Sequence, residues 1–178
     1  FAKKCGVDFY EDLIDNLRVD IPCSDGDVIK AGGFSVEAIH VNHSIPDALA
    51  FAVRCKEGVI IHTGDFKIDS TPIDGGMMNL ARLGELGNEG VLALLADSTN
   101  AERPGYTESE KKVGESFEHL FRRAGNRRII VATFASNIHR VQQIINSAEK
   151  FGRKVAIEGR SMVNTIEIAS KLGYLSLP

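Results

Sequence analysis

VNHSIPDALAFAVRCKEGVIIHTGDFKID, residues 41–69, places a histidine, a pair of strands and an aspartate within one short span, and the rest of the chain is read outward from it. Just upstream, residues 34–41 (FSVEAIHV) alternate apolar and polar side chains as a half-buried strand does, and the alternation stops immediately before His43. Two further apolar runs, 49–55 (LAFAVRC) and 58–62 (GVIIH), are split by a compact turn at Lys56-Glu57-Gly58, and the second run ends at Thr63-Gly64-Asp65. Gly64 permits a sharp turn there. His43 and Asp65 are therefore both expected where a strand stops, at one edge of a sheet.

A neutral imidazole and a carboxylate at a common sheet edge are components of a transition-metal site, because the ring nitrogen binds one ion and the two carboxylate oxygens bind one or bridge two. Spacing alone is a weak signal, since a single His or Asp at a strand end more often caps or hydrogen-bonds the backbone.

HSIPDA at 43–48 and HTGDFKID at 62–69 resemble two signature motifs of the metallo-β-lactamase fold, in the variety found in ribonuclease J and its β-CASP relatives. The resemblance continues through LLADSTNAERPGYTESE at 94–110, VATFASNIHR at 131–140 and GRKVAIEGRSM at 152–162, and so covers nearly all of the chain after about residue 20. It implies an α/β fold: the C-terminal half of a metallo-β-lactamase αββα domain over residues 1–104, then the start of a parallel-sheet β-CASP domain over 105–178. It also implies that His43 is a metal ligand, that Asp65 is the carboxylate bridging two divalent ions, Zn in the first place with Mn as the alternative, and that Asp97 is the acidic residue near those ligands. The implied reaction is metal-dependent hydrolysis of single-stranded RNA, from the 5′ end or internally. Two departures stand against a complete site: the His-x-His-x-Asp-His cluster and the later His-Val-Ser-Gly-His motif are both missing from the sequence. The chain is thus expected to be an internal piece of a longer enzyme and inactive alone.

Composition agrees with a packed domain. The 178 residues are 43% hydrophobic and 25% charged, enough to bury a core, and the net charge of −3 argues against a surface that attracts nucleic acid throughout. Cys5, Cys23 and Cys55 are odd in number and widely spaced, which reads as free thiols in a reducing compartment and suggests the cytoplasm. No run is long and apolar enough to cross a bilayer, and FAKKCGVDFY lacks the anatomy of a signal peptide.

Phe9, Leu13, Ile14 and Leu17 predict a short amphipathic helix, and Asp25-Gly26-Asp27, Val28-Ile29 and Gly32-Gly33 predict a hairpin ahead of His43. By alternation His40 faces away from Ile39 and Val41, and both His40 and His62 are read as structural or supporting residues. Lys67 has two readings, a phosphate contact or a solvated lysine. Residues 77–87 predict a helix closed by Gly87, and 91–97 (VLALLAD) a strand that brings Asp97 to its end.

Beyond residue 107 the pattern alternates. Thr107 and Glu110 fit a capping box, followed by a helix with Val113, Phe117, Leu120, Phe121 and Ala124 on one face. Strands at 128–134 and 153–158 and helices at 137–150 and 161–172 predict a parallel sheet with helices packed on it. At Ala135-Ser136-Asn137 a strand-to-helix turn offers Ser136, Asn137 and free amides to a phosphate, with Arg140 as counter-charge, although helix capping is the commoner role. Arg122, Arg123, Arg127 and Arg128 read as solvated surface. Two competing functions remain: hydrolysis of a small substrate, which has no use for a β-CASP segment, and a non-catalytic RNA-contacting module. An exposed sheet edge also predicts homo-oligomers or strand exchange.

Overall fold

The structure is a computed structural model that describes residues 22–73 and 75–178. The helix expected around Phe9–Leu17 lies outside the described residues. The described chain forms two compact units, one holding residues up to His43 together with Asp47–Ser109, the other Ser44–Pro46 and Glu110–Pro178.

In the first unit five strands pair in sequence order: β1 (Val28–Ala31), β2 (Phe34–His40), β3 (Leu49–Cys55), β4 (Gly58–His62) and β5 (Ala93–Leu95). β1 and β2 join through Gly32-Gly33, where Gly32 takes a φ of 61° that favours glycine. Pairing is antiparallel from β1 to β4, with Val53 opposite both Val36 and Ile60, and then parallel from β4 to β5. A parallel neighbour requires a crossover, and α1 (Leu80–Glu89) supplies it.

Period-two alternation puts Ile39, Val41, Ala50, Ala52, Val59 and Ile61 on one buried face, where Met78 and Leu86 complete the core. α1 begins at Asn79, whose side chain accepts from the Arg82 amide, and ends at Gly90, whose N–H donates to the Leu86 carbonyl. The helix expected at 77–87 is displaced towards its C-terminus. Gly87 does not stop it, because Glu89 in its last turn is held by Arg54 at 2.7 Å and Arg82 at 3.5 Å. Arg82 also donates two bonds to Glu37 on β2, at 2.6 and 2.9 Å, and so pins the helix to the sheet. The strand expected over 91–97 is shorter, only three residues pairing with β4.

The second unit contains α2 (Glu110–Ala124), α3 (Ile138–Lys150) and α4 (Arg160–Lys171). Ile138, Val141, Ile145, Ile166, Ala169 and Leu175 form one core cluster, and Phe117, Phe121 and Ala148 another. Leu120, expected on the packed face of α2, is 55% exposed. The strands expected at 128–134 and 153–158 do not form, and neither does the parallel sheet predicted for this part of the chain: among the described residues these segments have no ladder partner. The apolar pattern is nevertheless half used. Ile129 and Ile157 pack against the clusters, while Ile130 and Phe134 stand 88% and 80% exposed.

The expected capping box is absent as well. α2 starts at Glu110 itself, and the Glu110 carboxylate accepts from Arg140 at 2.7 and 3.3 Å. A guanidinium offers a bidentate partner that a backbone amide does not.

Candidate metal centre

Three strand ends meet at one edge of the first unit. β2 continues past His40 through Val41 and Asn42 to His43, β4 ends at the Thr63-Gly64-Asp65 turn, and β5 runs on to Asp97. His43 Nε2 lies 3.7 Å from Asp65 Oδ2, with side-chain exposures of 30% and 78%. Asp97 is close enough to His43 for the imidazole's charge to act on it. The three residues singled out in the sequence are thereby brought together.

The Asp97 carboxyl is held below its ordinary range, chiefly by the Thr99 hydroxyl, which donates to Oδ1 at 2.6 Å. Amide donors from Thr99 and Phe66 and the nearby His43 add to this, against some loss of hydration. Asp97 is therefore a carboxylate at neutral pH and serves as an acceptor.

Two buried polar side chains tie the strand ends. Asn42, 6% exposed, donates from Nδ2 to the Gly76 carbonyl at 2.9 Å and accepts the Met78 amide on Oδ1 at 2.8 Å. Its own carbonyl accepts the Lys67 amide at 2.8 Å, two residues beyond Asp65. Thr63, also 6% exposed, accepts the Asp97 amide on Oγ1 at 3.0 Å and donates its hydroxyl to the Gly64 carbonyl at 2.7 Å. The reading from sequence gave neither residue a role, although both sit within the stretch 41–69.

Gly64 is required by geometry: its φ is +59°, and a Cβ there would approach the Leu49 carbonyl oxygen to 2.9 Å. His62 accepts the Gly64 amide on Nδ1 at 3.1 Å, and His40 Nε2 lies 3.0 Å from the Gly76 carbonyl, so both histidines support turns. Lys67 pairs with the buried carboxylate of Asp69 at 3.5 Å and is not simply solvated.

Ser136, Asn137 and Arg140 lie at the start of α3, in the second unit. Asn137 caps the helix by accepting the Arg140 amide at 3.0 Å, Arg140 is engaged by Glu110, and Ser136 is exposed.

His43 and Asp65 suit a borderline transition metal by donor type and convergence. Among the described residues, however, no group of three or more His, Cys, Asp or Glu side chains could hold a metal ion. The pair by itself does not complete a donor set.

Residues 126–178 match the model of the ribonuclease J β-CASP domain. Ribonuclease J of Thermus thermophilus is 50% identical over 155 residues, which span 86% of this chain and 27% of that protein. The Helicobacter pylori J99 ribonuclease J is 49% identical over 84% of the chain and 22% of its own length, and the Mycobacterium tuberculosis H37Rv ribonuclease J is 48% identical over 88% and 28%. The chain thus spans about a quarter of the length of these curated relatives. A crystal structure of a protein of unknown function from Enterococcus faecalis V583 superposes with a TM-score of 0.65 over 92% of this chain and 38% of its own; at 21% identity it shows the fold alone.

A mixed sheet with an imidazole and two carboxylates at its strand ends, followed by β-CASP sequence, defines the class as a metallo-β-lactamase-fold chain of the β-CASP kind. Within that class most of the chain is similar to ribonucleases J, at 48–50% identity, and residues 126–178 match the β-CASP domain of that family.

Proposed function

We propose that this chain contributes one side of the metal centre of a metal-dependent ribonuclease acting on single-stranded RNA, by 5′ exonucleolytic cleavage, endonucleolytic cleavage or both. The observation that carries the reading is 50% identity to a ribonuclease J over 86% of the chain. A small substrate is disfavoured by the β-CASP match, since a lactam or thioester needs no such segment.

His43 would hold one divalent ion and Asp65 would bridge two, Zn being the better fit to an imidazole and carboxylate pair and Mn the alternative. When bound, such a pair supplies a hydroxide for attack on phosphorus and offsets charge on the phosphate oxygens. Asp97, kept ionised by Thr99, accepts a hydrogen bond and orients a neighbouring imidazole. At the start of α3, Ser136 and the first-turn amides suit a phosphate, whereas Arg140 would first have to leave Glu110. With an incomplete donor set, the 178-residue chain alone is expected to be inactive.

Self-association and a cytoplasmic setting belong to the same proposal. β5 has no second neighbour among the described residues, and Leu92 just before it and Leu94 within it are 59% and 62% exposed, which suits pairing with another copy. No helix among the described residues is long and apolar enough to cross a membrane.

The test is a chimera in which this chain replaces the matching segment of the Thermus ribonuclease J, assayed on 5′-labelled single-stranded RNA with added Zn or Mn. Hydrolysis, reduced about 100-fold or more by Asp65→Asn, is the expected result. A chimera that folds and retains full activity with Asp65→Asn would remove Asp65 from the site.

A further inference from the structure

We infer that the Thr63 hydroxyl is a positioning group that couples the Asp65 turn to Asp97. The inference rests on the proposed metal centre and adds the device that sets its geometry.

Thr63 lies where β4 ends. Its amide donates to the Leu95 carbonyl at 3.0 Å, the last rung of the parallel β4–β5 ladder. Past that rung the backbone of β5 leaves the sheet, and the next bond between the two segments runs from the Asp97 amide to Thr63 Oγ1 at 3.0 Å. The hydroxyl therefore carries the pairing of β5 onward as far as Asp97. The same hydroxyl donates to the Gly64 carbonyl at 2.7 Å and fixes the orientation of the peptide that leads into Asp65. One oxygen, in a residue 6% exposed, thus sets two backbone positions, and each precedes or carries a carboxylate of the site.

The Phe66 amide, one residue past Asp65, and the His43 imidazole both favour the ionised Asp97 carboxyl. Thr63, bonded to the Asp97 amide and to the Gly64 carbonyl, thus ties Asp97 to the turn that leads into Asp65. Gly64 packs closely here, since a Cβ would lie 2.9 Å from the Leu49 carbonyl oxygen. Pre-organised catalysis requires its groups within about 0.5 Å of the productive geometry, and the two bonds of the Thr63 hydroxyl serve that end.

Valine matches threonine in shape and lacks the hydroxyl, while serine keeps the hydroxyl and loses the methyl. Thr63→Val should leave the fold intact, expose the Asp97 amide to exchange roughly tenfold faster in the 178-residue chain, and lower kcat for RNA about 10- to 100-fold in the Thermus chimera with little change in KM. Thr63→Ser should restore both quantities to near the parent values. Unchanged protection of the Asp97 amide in Thr63→Val would overturn the inference, and so would a serine variant as impaired as valine, because the methyl and not the hydroxyl would then matter. Amide exchange reads the linkage without any metal or substrate. If the parent chimera hydrolyses no RNA, the functional reading falls, and Asp97 protection in Thr63→Val still decides the role of Thr63.

Discussion

The Asn42 side chain ties its own strand end to the 76–78 segment, so its removal leaves the Met78 amide without its partner and the Gly76 carbonyl with His40 Nε2 alone. Asn42→Ala should cost about 1–3 kcal/mol, measured as a lowered denaturant midpoint with an unchanged slope. Gly64→Ala meets two penalties, a φ of +59° and a 2.9 Å approach to the Leu49 carbonyl, and should cost about 1–3 kcal/mol by the same measurement. A midpoint within error of the parent would show that the turn relaxes freely. At this scale the sequence was legible where chemistry is written in residue type: an imidazole and a carboxylate at strand ends are visible in HSIPDA and HTGDFKID. It was not legible where a side chain's use depends on a distant partner. Nothing near Arg140 announces that Glu110, thirty residues earlier, takes its guanidinium, and nothing near Asn42 or Thr63 reveals which amides they serve.

At the scale of elements, α1 is the piece whose position fixes the rest of the first unit. Leu86 is fully buried against the sheet, and Leu86→Ala should cost about 2–5 kcal/mol, since a helix pinned by ion pairs cannot collapse into the cavity. Its ionic anchor gives a signature in pH. The Arg82 guanidinium, bonded to the Glu37 carboxylate, lowers the Glu37 pKa below its usual 4.5, with Arg54 adding attraction and burial opposing. A carboxylate whose folded pKa is depressed contributes stability above its unfolded pKa and loses it as the pH falls through the folded value. Thermal melts should therefore show Glu37→Gln less stable than the parent near pH 6, with the gap narrowing on the acid side of about pH 4; a constant gap would mean that the ion pair contributes nothing. Elements were legible in proportion to how local their causes are. The β2–β4 hairpins and the helices follow from periodicity, turns and caps. Residues 128–134 and 153–158 have the strand pattern and not the strand, because a parallel strand exists only through its ladder.

For the whole molecule, the decisive quantity is the number of metal donors that one chain can gather. A structural or catalytic Zn site takes three or four protein ligands at about 2.0–2.2 Å from N and O. The described residues offer His43 and Asp65, with the Asp97 carboxylate nearby, and no group of three that could hold an ion. The remedy would be a donor from outside this set, and the exposure of Asp65, 78%, leaves its oxygens accessible to one. The purified 178-residue chain should consequently emerge from gel filtration with well below one Zn per chain by elemental analysis, whereas the Thermus chimera, in which the relative supplies the remaining sequence, should hold about two. His43→Ala in the chimera should remove about one of the two ions, and Asp65→Ala should weaken both, because a bridging carboxylate serves each ion and a terminal imidazole serves one. Equal losses in the two variants would assign Asp65 to a single ion, and a parent chain that retains two equivalents would show that this sequence completes the site alone.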